Sequence, residues 1–161
     1  MIFYFTGTGN SLYAAKQLDP ELISIPQAIH RDRLIFEADS IGIVCPVYGH
    51  EMPAMVKEFL KKAEFRTDYF YLVLTYGNIH GGAAELAEQE LMAVGKRADY
   101  INPLKMVDNF RPRSDMTAQL AIEPEKKVDA QIPGIKAELH SQPHWIQTTT
   151  QAEREGKERY I

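Results

Sequence analysis

Three apolar runs, each followed by an amphipathic stretch, constrain this chain more than anything else in it. IFYF at residues 2–5, SIGIVCPVY at 40–48 and DYFYLVLTYGN at 68–78, strongest over 69–75, are rich in β-branched and aromatic residues. Runs that are apolar on both faces suit strands buried between two layers. Residues 10–18 then carry Leu12, Ala15 and Leu18 at helical spacing. Beyond Pro53, which suits a first helical turn, Met55, Val56, Phe59, Leu60 and Ala63 form one stripe opposite Lys57, Glu58, Lys61 and Lys62. Residues 82–94 turn Ala83, Leu86, Ala87, Leu91 and Val94 inward. Two weaker strands are read at ELISI, 21–25, and at Asp99–Val107, which Pro103 marks as an edge. A final helix has Val128, Ile132, Ile135 and Leu139 on one stripe, with Pro124 as its candidate start. Pro133-Gly134 is expected to kink or split it. Residues 143–161 are polar and charge-balanced and take no assignment.

This alternation predicts an α/β fold, a parallel sheet with helices on both faces. Right-handed crossovers leave few strand orders, of which we choose five strands in the order 2-1-3-4-5. The switch point then lies between the first and third strands. The loops that follow them, TGTGNS and PVYGHEMP, meet there at the carboxyl ends of the strands, where open α/β sheets bind ligands.

Composition narrows the partners. At 161 residues a single domain over 1–161 is expected. With 18 Lys+Arg against 22 Asp+Glu and a net charge of −4, little excess remains to build a basic nucleic-acid face. The single cysteine, Cys45, excludes an intramolecular disulfide and a Cys-ligated cluster within these residues. It ends a buried strand and reads as a core thiol. No apolar run approaches ~20 residues, and the first strand begins at Ile2. The expectation is a cytoplasmic protein with no membrane partner.

The loop TGTGNS, Thr6 to Ser11, has the chemistry of an anion site. Amides of a turn entering a helix converge on one point, and the helix dipole favours negative charge there. Gly7 and Gly9 permit positive φ and close approach of a ligand. Thr6, Thr8 and Ser11 offer hydroxyls and Asn10 an amide. Without Lys or Arg, these neutral donors suit a terminal phosphate monoester. GxxxxGK[ST] fails for lack of a lysine, and GxGxxG fails at Leu12. The competing reading is a tight turn with a serine or asparagine helix cap.

These six residues, Thr6-Gly7-Thr8-Gly9-Asn10-Ser11, match in order the phosphate loop [ST]-x-T-G-x-[ST] of the flavodoxin family, which the chain resembles over roughly residues 1–100. The stretches PVYGHEMPAMVKEFL and TYGNIHGGAAELAE are similar to a subgroup in which such a domain precedes a bacterial-type ferredoxin domain. The resemblance implies a flavodoxin-like three-layer α/β/α sandwich, non-covalent FMN and electron transfer. It implies that Thr6, Gly7, Thr8, Gly9, Asn10 and Ser11 hold the FMN phosphate. Pro46, Val47, Tyr48 and Gly49 would border one side of the isoalloxazine, and Thr75, Tyr76, Gly77 and Asn78 the other. The cysteine runs of the fused subgroup are missing after Cys45, so the redox partner is expected to be another protein, a ferredoxin or a flavin reductase.

The residues themselves are compatible with a flavin. Tyr48 and Tyr76 each follow a strand end and precede a glycine, which suits flat walls for a three-ring system, although each could simply cover the sheet end. His50 and His80 lie in the same loops and read by default as exposed loop histidines. Either one beside a reduced flavin could supply a proton or a positive charge. His50-Glu51 lacks the second histidine of H-E-x-x-H. Arg111 and Arg113 read as exposed loop residues. Two functions share this fold, an electron carrier and an NAD(P)H-dependent reductase that needs residues 108–122 or the tail to shape a substrate site. A signalling receiver is set aside, because Phe5-Thr6 and Cys45-Pro46 stand where its acidic residues would be.

Overall fold

A computed structural model describes residues 1–108 and 115–159 of the chain. In order come β1 (Ile2–Tyr4), α1 (Asn10–Leu18), β2 (Leu22–Ser24), α2 (Ile25–Ala28), β3 (Ile35–Glu37) and β4 (Ser40–Pro46). Then follow α3 (Ala54–Lys62), β5 (Glu64–Arg66), β6 (Tyr69–Tyr76), α4 (Ala83–Ala93) and β7 (Tyr100–Lys105). The chain continues through α5 (Met116–Lys126), α6 (Val128–Ser141), β8 (Trp145–Ile146) and α7 (Gln151–Glu158). Among the described residues no helix is long and apolar enough to cross a membrane.

The main sheet is parallel throughout, in the order β2-β1-β4-β6-β7-β8. The expected five-stranded sheet is therefore corrected to six. The five anticipated strands keep their neighbours, and β8 adds two residues beside Tyr100 and Ile101 of β7. Pro103 stays on the stretch of β7 that β8 does not reach. A second, two-stranded sheet of β3 and β5 was not anticipated. Each of its strands has three residues and a charged end, too short for a period of two to register.

Alternation along the strands divides the core between two faces. Phe3, Ile41, Ile43, Leu72 and Leu74 pack with Val56, Phe59 and Leu60 of α3 and Ala87 and Leu91 of α4. Ile2, Val44, Tyr71, Val73 and Leu104 pack with Ala14 and Ala15 of α1 and Val128, Ile132 and Ile135 of α6. The layers are α/β/α. Gly42 is required here, because a Cβ would run into the Tyr71 ring. Met55, expected on the inward stripe of α3, is 37% exposed.

The start expected at Pro124 and a split at Pro133 are both corrected. Pro124 lies inside α5 rather than starting a helix, and the break falls at Lys127, whose φ is 51°. Pro133 lies inside α6, which continues through it. Ile132 and Ile135, on either side of it, are buried, and that packing holds the helix together across the missing N–H.

Candidate functional site

At the end of β1, Phe5 N–H donates to Val44 O (3.0 Å), and the chain turns through Thr6–Gly9 into α1. Thr6 Oγ1 accepts from the Gly9 N–H (2.9 Å) and closes the turn. Gly9 holds φ at 105°, a conformation that favours glycine. Gly7 is not in that region, which corrects the expectation of positive φ at both glycines. Gly7 is instead a place of close approach, where a Cβ would meet the Tyr48 hydroxyl.

The helix-cap reading of this loop is not realised. The N-cap residue is Gly9, which brings no side-chain hydrogen bond to α1, and the first turn of the helix holds no acidic residue. The Asn10 amide donates to Val107 O (2.9 Å), reaching to the exit of β7. Ser11 Oγ shares a buried hydrogen bond with Thr75 Oγ1 (2.7 Å) and ties the loop to β6. The amides that open α1 lie at the positive end of its helix dipole.

The second loop leaves β4 at Pro46. Val47 N–H donates to Thr75 O (2.8 Å), and Tyr48 and Glu51 exchange backbone hydrogen bonds of 2.9 and 3.1 Å. Gly49 and His50 between them have φ of 58° and 72°, the positive values that a tight type I′ hairpin requires. A left-handed residue at His50 was not foreseen, although histidine is among the residues enriched there. Lys57 ties the hairpin to α4, donating to Glu51 (2.6 Å) and Glu90 (3.1 Å). Tyr48 is 50% exposed, its ring leaning toward the first loop.

The third loop leaves β6 at Tyr76. Thr75 is buried, and burial, with Glu153 adding to it, pushes the Tyr76 phenol up to about 12. Gly77 allows a close approach, since a Cβ there would lie 2.5 Å from Asp108 Cβ. Lys126 Nζ donates to Gly77 O (3.0 Å), Met106 O (2.7 Å) and Gln119 Oε1 (3.3 Å). Burial holds its pKa below that of an ordinary lysine. His80 is 2% exposed, against the expectation of an exposed loop histidine, and burial lowers its pKa. Cys45 is buried as expected, and burial pushes its thiol pKa up.

These loops enclose a cleft of about 1100 Å³ at the carboxyl ends of β1, β4 and β6. Every residue singled out for the site borders it except Gly9, the exposed residue before α1. His50, Ile79, Val107, Asp108 and Gln119 also line it. His50 and Ile79 adjoin loops already marked, whereas Val107 and Asp108 follow β7 and Gln119 comes from α5, and these three carry no motif. Arg111 and Arg113 lie outside the described residues.

A doubly wound parallel sheet with its cleft at the switch point defines a flavodoxin-like α/β protein. Neither family models nor curated proteins give a match to the chain. Among solved structures it is similar to the two-electron reduced flavodoxin of Megasphaera elsdenii, at 18% identity and a TM-score of 0.46 over 82% of this chain and 97% of that one. It is also similar to rubredoxin oxygen:oxidoreductase of Desulfovibrio gigas, at 14% identity and a TM-score of 0.46 over 84% of this chain. There the match spans 36% of the other chain's length. The Trp repressor binding protein of Bacillus subtilis is matched at 12% identity and a TM-score of 0.46, over 76% of this chain and 94% of that one. Likeness this distant carries neither fold nor chemistry, which rest on this chain's own strand order and residues.

Proposed function

We propose that this chain is an FMN-binding, flavodoxin-type protein that transfers electrons between redox partner proteins in the cytoplasm. The observation that carries the reading is the acid-free start of α1 behind its Gly9 N-cap, at a cleft walled by Tyr48 and Tyr76. The donor set fits a phosphate monoester: helix amides and the hydroxyl of Thr8, with Thr6 and Gly9 shaping the turn. Asn10 and Ser11 add their backbone N–H groups, while their side chains bond Val107 O and Thr75 Oγ1. Tyr48 and Tyr76 would supply apolar walls for the ring system, and the peptides around Gly49 and Gly77 would offer it polar groups. FMN, when bound, supplies one- and two-electron redox chemistry. The chain binds it, orients it and limits water at its faces. A separate ferredoxin or flavin reductase would be the partner.

Titration of apo-protein with FMN, riboflavin and FAD tests this. Charge-assisted hydrogen bonds contribute ~1.5–3 kcal/mol each, so FMN should bind at least about tenfold more tightly than riboflavin. Thr8→Ala should shrink that ratio by weakening FMN alone. Equal affinity for FMN and riboflavin in the wild type would remove the phosphate assignment.

One observation favours a second reading, an NAD(P)H-dependent reductase. Gln119 of α5 lines the cleft, and α5 also bounds a neighbouring cavity of about 390 Å³ on Tyr76, lined by Lys105, Ile122, Lys126 and Gln131. Such a segment could shape room for a substrate. Stopped-flow mixing with NADPH separates the readings, since a carrier is reduced slowly until a reductase protein is added.

A further inference from the structure

Beyond the loops that line the cleft, residues 149–158 pack against the exit of β6. Glu153 Oε2 accepts from the backbone N–H of His80 (3.2 Å) and of Gly81 (3.1 Å), 73 and 72 residues away in the chain. Its other oxygen, Oε1, lies 3.6 Å from His80 Nε2. Thr149 donates its backbone N–H (3.0 Å) and hydroxyl (2.8 Å) to Glu85 at the start of α4, and Arg154 lies 3.7 Å from the same carboxylate. Two glycines bring the surfaces together. A Cβ at Gly82 would lie 2.9 Å from Thr149 Oγ1, and one at Gly156 would lie 2.8 Å from Ile79 Cδ1.

The contacts continue inward to the cleft. His80 Nδ1 accepts from the Gly82 N–H (3.3 Å), so the neutral imidazole carries its proton on Nε2, facing Glu153. The imidazole meets the Tyr76 ring edge-on, with centroids 5.0 Å apart. Tyr76 and Ile79 border the cleft. The charged and titratable groups facing His80 are Glu153 of α7, Glu85 of α4, His50 of the hairpin and Lys105 of β7. Residues 77–82 include three glycines, two of them at positive φ, and such a segment loses much conformational freedom when it is ordered. A carboxylate accepting two adjacent amides is a strong, directional restraint on it.

We propose that Glu153 is a positioning residue of the cleft, holding the wall from Tyr76 to Ile79, through His80 and Gly81, in the shape that accepts a flavin ring. The proposal rests on the FMN reading above. Glu153 touches the wall and not the phosphate loop, so its effect falls on the ring.

The test uses the full chain as wild type, Glu153→Ala and Glu153→Gln. Amide hydrogen exchange is read at His80 and Gly81 in the apo-protein, and FMN and riboflavin are titrated into each. Glu153→Ala should speed exchange at both amides by about tenfold or more, since it removes a charge-assisted acceptor. It should weaken FMN and riboflavin by the same factor, leaving their ratio unchanged. Glu153→Gln keeps an oxygen that accepts from the amides and should retain most of the protection. In both variants the His80 imidazole, followed by NMR, should titrate at lower pH than in the wild type, because the carboxylate that favours its charged form is gone. Wild-type exchange rates in Glu153→Ala, or weakening confined to FMN, would overturn the positioning role alone. A wild type that binds neither flavin overturns the FMN reading and the cleft role with it, whatever the exchange shows.

Discussion

His80 shows how one residue's environment sets a measurable pH response. Its ring is buried between Tyr76, Gly82 and Glu153, and desolvation lowers its pKa below the ordinary histidine value of 6.5, against the opposing pull of Glu153 and Glu85. Unfolded, the same side chain takes up a proton near pH 6.5. Between that pH and the lower folded value, the unfolded state binds more protons than the folded one. The contribution of His80 to stability is therefore fully present above pH 6.5 and is lost as pH falls through that window. Urea midpoints measured from pH 7.5 downward should decline, and His80→Asn, whose carbonyl can still accept from Gly82, should flatten part of that decline. An identical slope in the variant would mean that His80 does not titrate differently on folding. None of this was legible in the sequence, where a histidine between isoleucine and two glycines reads as exposed. Its burial comes from α7 and α4, which no local pattern ties to position 80.

Among elements, α5 is held to the sheet by polar contacts more than by packing, since none of its described residues is buried. Lys126 in its last turn joins it to the loop after β6 and to the end of β7, all through neutral oxygens. Lys126→Met should cost about 1–3 kcal/mol, the range for leaving such acceptors unsatisfied. The loss should appear in chemical denaturation of the apo-protein. A loss well below that range would mean that water replaces the ammonium at Gly77 and Met106. The sequence placed α1, α3, α4 and β6 closely, because each buries a face whose spacing is written in consecutive residues. It misplaced Pro124, and the split it allowed at Pro133 does not occur, because whether a helix tolerates a proline depends on what the neighbouring turns are packed against.

For the whole molecule, the cleft should couple ligand binding to folding. At a free FMN concentration 100 times its Kd, the folded state gains about 2.7 kcal/mol. For a domain of this size that corresponds to a rise in Tm of about 5–10 °C, readable by thermal shift. Riboflavin at the same concentration should give a smaller rise, and an unchanged Tm with FMN would mean the folded cleft does not hold it. What the sequence determined by itself was local and periodic. The apolar runs specified the buried strands, and their alternation with helices specified a parallel sheet and the neighbours of its five principal strands. The residues of the turn after Phe5 marked where a ligand could sit. Tertiary structure alone decided the rest. It paired Ser11 with Thr75 and Asn10 with Val107, put His50 in the left-handed region, added β8 at the edge, and laid α7 against the third loop. The Ser11, Asn10 and α7 contacts join polar residues far apart in the chain. Such contacts leave no periodic trace, because hydrogen-bond partners are chosen by the space the packed sheet and helices leave between them.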